Sequence, residues 1–141
     1  MDAPSCATAQ PRLETLIERR EINARLILSG VPTSTVPDAA FALGVAAGQI
    51  IKSLLFATRM NDLVLAIATG DTRIDRKRLA AEIGVRDVKL ASPEIVLRAT
   101  GYAAGGTPPV GHVTPLNVLV DRRVMLWPVV FGGGGRVDAL L

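Results

Sequence analysis

The sequence predicts an α+β fold with a mixed β-sheet and short helices, and three observations carry that reading. Two apolar runs, "QIIKSLLFAT" (49–58) and "DLVLAIATG" (62–70), are joined by "RMND", which suits a hairpin connection. The segments with helical spacing are short and follow the strands in irregular order, unlike the regular alternation of a doubly wound sheet. Apolar residues make up 49% of the chain and aromatic residues only 4%, so Val, Leu, Ile and Ala must fill the core. A length of 141 residues suits one domain spanning 1–141, able to bury a core without metal or disulfide support.

The elements follow in order. From Pro11 to Leu28, Leu13, Leu16, Ile17, Ile22, Leu26 and Ile27 recur at roughly helical spacing, which predicts an amphipathic helix within 1–29, ended by Ser29-Gly30. "VPTSTVPD" is extended and marked by proline, and Asp38 is placed to cap a short helix over "AAFALGV" before Gly48. The two apolar runs read as central strands with both faces covered. "DTRIDRKRLAAEIG" gives a helix capped by Asp75 and stopped at Gly84. "VRDVKLAS" is strand-like, and "PEIVLRATG" is a helix of one or two turns with Pro93 at a favoured first position. "NVLVDRRVM" and "LWPVVFGGGG" supply two further short apolar runs.

Composition excludes several classes of function. Mean hydropathy is +0.35, yet the longest uncharged run, Ala99 to Val120, is interrupted by glycines, prolines and a histidine and cannot form a spanning helix. No membrane association is therefore expected. The start of the chain lacks the basic and apolar pattern of a secretory signal, and Cys6 is the only cysteine, so a cytoplasmic location is expected. One histidine and one cysteine far apart make no metal-ligand spacing, and neither metal nor cofactor is expected. Sixteen basic against 13 acidic residues, a net charge of +3, favour a polyanionic partner without demanding one.

Three features invite chemistry. Lys52 shares a strand face with Ile50, Leu54 and Phe56, while Ile51, Ser53, Leu55 and Ala57 face the other way. An ammonium in such surroundings either snorkels to water or meets an anion such as a phosphate or a developing oxyanion. The segment "GYAAGGTPPVGH" (101–112) is long and apolar for a loop, with glycines that free backbone N–H groups and adjacent prolines that stiffen the wall. It is either an oxyanion cradle or a structural Ω-loop, and it matches neither a P-loop nor a dinucleotide fingerprint. Its final residue, His112, reads as a base, a ligand or a hydrogen-bonded structural residue. Arg76, Lys77 and Arg78 crowd a helix start, against the macrodipole, as either a solvated end or a phosphate contact.

Taken together, Gln49-Ile50-Ile51-Lys52-Ser53, Gly70-Asp71, Pro93-Glu94, Thr100-Gly101-Tyr102, Gly105-Gly106, Pro109, Gly111-His112 and the late "FGGGG" resemble, in their order, the YbaK-like family, the editing domains associated with prolyl-tRNA synthetase and their free-standing relatives. The resemblance runs from about Gly30 to Gly135. It implies a barrel-like mixed sheet, surrounded by short helices, around a small pocket and a trans-editing deacylase that hydrolyses mischarged aminoacyl-tRNA, most often tRNA for proline bearing Ala, Cys or another small amino acid; the hydroxyls of Thr33 and Ser53 add Ser and Thr to the expected substrates. By resemblance, Lys52 falls on the family's strand lysine, associated with the terminal adenosine's phosphate or the reacting ester. Gly105, Gly106 and Gly111 fall on the loop lining the amino acid and ester, and His112 matches a histidine present in some members. Pocket walls are expected at Thr33, Ser53, Thr69, Ala103 and Val110, and contacts to the tRNA backbone at Arg73, Arg76, Lys77 and Arg78.

The expected partners are the acceptor end of aminoacyl-tRNA and an aminoacyl-tRNA synthetase: with a modestly basic surface the domain is expected either to bind the acceptor end weakly, to capture substrate in competition with elongation factor, or to work beside a synthetase. The family's final strand is expected to continue beyond "FGGGG", so the C-terminal edge is expected to be shortened. The alternative reading is a non-catalytic tRNA- or nucleotide-binding module using the same pocket, and a more distant one is a regulatory domain whose loop docks a protein.

Overall fold

The computed structural model of the protein describes residues 13, 15–19, 22–33, 35–136 and 139–141. The β-hairpin is at its centre: β2 (Ile51–Thr58) and β3 (Leu63–Thr69) pair antiparallel in unbroken register, from Ile51 opposite Thr69 to Ala57 opposite Leu63. Asn61, at φ 62, turns the chain between them. β4 (Val88–Leu90) adds antiparallel to the far end of β2, and β5 (Asn117–Val120) adds parallel to β3. The resulting four-stranded sheet, in order β4-β2-β3-β5, is mixed, as expected.

A second, two-stranded sheet pairs β1 (Ile27–Leu28) with β6 (Ala139–Leu140). Single bridges join the two sheets, Ile50 to Phe131 and Gly133 to Leu140. Among the described residues these bridges do not amount to a closed barrel. The apolar run 126–135 thus serves through isolated bridges and not as a full strand.

Period-two alternation divides the core between the two faces of the central sheet. Ile51, Leu55, Leu65 and Ile67 pack with Val96 and Ala99 on one face, and Phe56, Val64 and Ala66 pack with Leu79, Ala80 and Val88 on the other. Each helix has a local reason for its bounds. In α1 (Val36–Leu43) the cap is Thr35, whose hydroxyl accepts the Asp38 N–H at 3.2 Å, so Asp38 belongs to the first turn and is not the cap. Proline at 37 fixes the start one turn earlier than the apolar pattern suggested.

α2 (Arg76–Glu82) is capped by Asp75, which accepts from the Lys77 and Arg78 amides. α3 (Pro93–Thr100) starts at Pro93 behind the Ser92 cap and ends on Gly101 at φ 83. Short 3-10 turns occupy Ala47–Gln49 and Arg122–Leu126.

The expected helix over Pro11–Leu28 is shorter. Residues 15–19 are helical, but Ile27 and Leu28 form β1. Their backbone is satisfied by β6, at the far end of the chain, so a long-range partner overrides the local helical spacing. Pro11 and Cys6 lie outside the described residues. No helix among the described residues is long and apolar enough to cross a membrane.

Candidate functional site

Strand β2 builds the site because its outer edge is only partly covered. β4 pairs with Phe56–Thr58, and at the other end the Ile51 N–H donates to the Phe131 carbonyl at 2.8 Å. Between these contacts lies a cavity of about 110 Å³. Lys52, Ser53 and Leu54 form its floor, Thr33, Val36 and Ala39 one wall, and Gly105, Thr107, Gly132 and Gly133 the other. A volume of this size suits a small polar group or a short side chain.

Lys52 is half-buried on the face that carries Leu54 and Phe56, and no salt bridge engages it among the described residues. Ser53 points to the opposite face, and its Oγ is buried with no hydrogen-bond partner among the described residues. The glycine-rich loop meets the strand through the segment at 132–136. A Cβ on Gly133 would collide with the Thr107 carbonyl, and the Gly135 N–H donates to the Gly106 carbonyl at 2.8 Å. Only glycine at 133 lets the two backbones lie this close, and their closeness makes the wall.

Of the residues singled out in the sequence, Lys52, Gly105, Thr33 and Ser53 come together at this cavity. Gly106 is buried against Gly135 and Arg136 and does not line the cavity. Gly111 lies elsewhere, close to Leu13 and Leu16 and to the Tyr102 hydroxyl. His112 Nε2 lies 2.8 Å from the Pro108 carbonyl and so fastens the far end of the loop. Thr69 is buried beside Thr72, with 2.7 Å between their hydroxyls. Thr69, Ala103, Val110, Gly111 and His112 are not among the residues lining the cavity.

Arg73, Arg76, Lys77 and Arg78 are exposed. The walls supplied by Val36, Ala39, Thr107, Gly132 and Gly133 were not anticipated, although the run of four glycines at 132–135 was a visible signal of close backbone approach.

A larger depression of about 1060 Å³ lies between the hairpin turn, α3 and residues 114–117. It is an open surface cleft, and the arginine that borders it, Arg98, is paired with Glu94 at 3.2 Å. Lined by a lysine with no salt bridge among the described residues, by Ser53 and by glycine walls, the smaller cavity has the means to hold a small anionic or ester group. Among the described residues no cluster of three or more His, Cys, Asp or Glu side chains is placed to hold a metal.

Comparison with known proteins gives a consistent picture. Residues 31–141 match the family model described as the aminoacyl-tRNA editing domain. The uncharacterized protein YwhH of Bacillus subtilis is 33% identical over 109 residues, 77% of this chain and 69% of that protein. The proline–tRNA ligase of Thermotoga neapolitana is 34% identical over 69% of this chain, which spans only 17% of the ligase.

Among solved structures, hypothetical protein APE2540 superposes with a TM-score of 0.86 at 34% identity, covering 92% of this chain and 85% of that one. A protein described as a proposed trans-editing enzyme for prolyl tRNA synthetase superposes with a TM-score of 0.83 at 34% identity, covering 94% of this chain and 83% of that one.

Proposed function

Since the chain belongs to the aminoacyl-tRNA editing domain family, we propose that it is a trans-acting deacylase that removes a small amino acid, Ala, Ser, Thr or Cys, from mischarged tRNA for proline. The observation that carries this reading is the cavity at the uncovered edge of β2, with Lys52 and Gly105 at its border. An ester between an amino acid and the terminal ribose requires an anchor for negative charge, donors for the tetrahedral oxyanion and a placed water.

Lys52 supplies the positive charge, and the backbone amides around the cavity supply neutral donors. Water attacks the ester carbonyl carbon, the bond from that carbon to the ribose oxygen breaks, and the water proton passes to the ribose oxygen. The products are the free amino acid and the uncharged tRNA. The ester is activated already, so the reaction needs no covalent nucleophile. A cavity of about 110 Å³ limits the side chain that enters, and a hydrophobic wall discriminates a single methylene by about 1–3 kcal/mol.

The test is deacylation of tRNA for proline charged separately with Ala, Cys, Ser, Thr or Pro. Accelerated loss of one or two small amino acids, with prolyl-tRNA spared, is expected. Binding of these tRNAs with ester loss no faster than in buffer would favour the non-catalytic binding module instead.

A further inference from the structure

We propose that the main chain of Ser53 is the docking edge for the aminoacyl group itself, which binds as a one-residue β-strand. The inference rests on the editing reading and adds to it the atoms that hold the substrate.

The geometry follows from the register of β2. Its ladder with β3 is unbroken from residue 51 to 57, so N–H and C=O groups alternate strictly between the two edges. The Ile51 N–H donates outward to Phe131, and the Leu55 carbonyl accepts outward from the Ala91 N–H at 2.8 Å. Ser53 lies midway between them, so its N–H and C=O also point outward, into the gap where the cavity lies. No hydrogen bond from either group to another described backbone group fills that gap. Among the described residues the hydroxyl of the same residue is buried without a partner. Main-chain polar groups of a strand are normally satisfied, and two open ones at a single residue facing a cavity indicate that a ligand satisfies them.

An α-aminoacyl ester has the complementary pattern. Its ammonium donates to the Ser53 carbonyl while its ester carbonyl accepts from the Ser53 N–H, the double exchange of a hydrogen-bonded antiparallel pair. The Ser53 N–H then faces the oxygen that becomes the oxyanion. This pairing also directs the substrate side chain to the face of the Ser53 side chain, where Ile51, Gly132 and Pro109 meet. Lys52, on the opposite face, is left for the nucleotide. A strand edge reads main-chain groups common to all amino acids, and the wall beside it selects by size.

The experiment uses the full chain, 15N-labelled, with a non-hydrolysable alanyl-adenosine joined through a 3′-amide. The Ser53 amide resonance should shift on binding and its hydrogen exchange should slow at least tenfold. The propionyl analogue, which lacks the α-amine, should bind at least tenfold more weakly. Binding of the alanyl analogue with an unmoved Ser53 amide, or equal affinity for the propionyl analogue, would overturn the proposal, as would a failure of both to bind.

Ser53→Pro removes the outward N–H from an edge position that tolerates proline. In a folded variant kcat should fall about a hundredfold, and an unchanged kcat would count against the docking edge while leaving the deacylase reading intact. Conversely, a shifted Ser53 amide in a protein that hydrolyses no charged tRNA would support the docking edge and overturn the deacylase reading.

Discussion

Gly70 shows how closely single residues are tied to the site. It ends β3 with its N–H bonded to the Ile50 carbonyl at 2.6 Å, and a Cβ there would lie 2.5 Å from Val36 Cγ1 and 2.7 Å from the Ala47 carbonyl. Val36 is a cavity wall, and the carbonyl of Ala47 cannot rotate away as a side chain can. Gly70→Ala is therefore expected to destabilise the protein by about 1–3 kcal/mol, the usual range for overpacking. Urea denaturation measures it, and a midpoint equal to that of the wild type would contradict the close approach described here. Lys52 is legible in the sequence because a charge inside an otherwise apolar strand is anomalous on its pattern alone. That Gly111 and His112 do not line the cavity was not legible, because a loop's sequence does not say which of its residues turn inward. Here Gly111 meets Leu13 and Leu16, and His112 meets Pro108.

At the level of elements, the caps decide where walls stand. Thr35 caps α1, and α1 brings Val36 and Ala39 to the cavity. Thr35→Ala should cost about 1 kcal/mol of stability and raise KM for an aminoacyl substrate, since Thr35 itself borders the cavity. A stability change below a few tenths of a kcal/mol would show that the cap does not hold the helix start. α2 presents a different case. Asp75 already satisfies the Lys77 and Arg78 amides, while the side chains of Arg76, Lys77 and Arg78 remain exposed. If these cations meet tRNA phosphates, replacing Arg76 and Arg78 by Gln should flatten the salt dependence of tRNA binding by about two counterions. An unchanged slope would assign them to a solvated helix end.

For the molecule as a whole, the central sheet was legible because β2 and β3 carry long apolar runs on a short connection, and their signals are local. β1 and β6 were not legible, because two-residue strands acquire their identity only from each other across the length of the chain. The same long-range clip closes the cavity. Leu140 is 2% exposed, packs with Ala39 and Ile50, and lines the site. Leu140→Ala should lower stability by about 2–5 kcal/mol and weaken substrate binding along with it. A variant with wild-type stability would mean that the clip is dispensable to the fold.

As proposed, the cavity beside Lys52 hydrolyses an aminoacyl ester. The most direct test is single-turnover deacylation of alanyl-tRNA for proline by the wild type and by Lys52→Ala, with circular dichroism confirming that the variant is folded. Lys52 takes part in no salt bridge among the described residues, so its removal should leave the thermal midpoint nearly unchanged. The rate constant of the variant should be at least about a hundredfold lower, the scale expected for loss of a preorganised electrostatic group. A folded variant that deacylates at the wild-type rate would contradict the proposal.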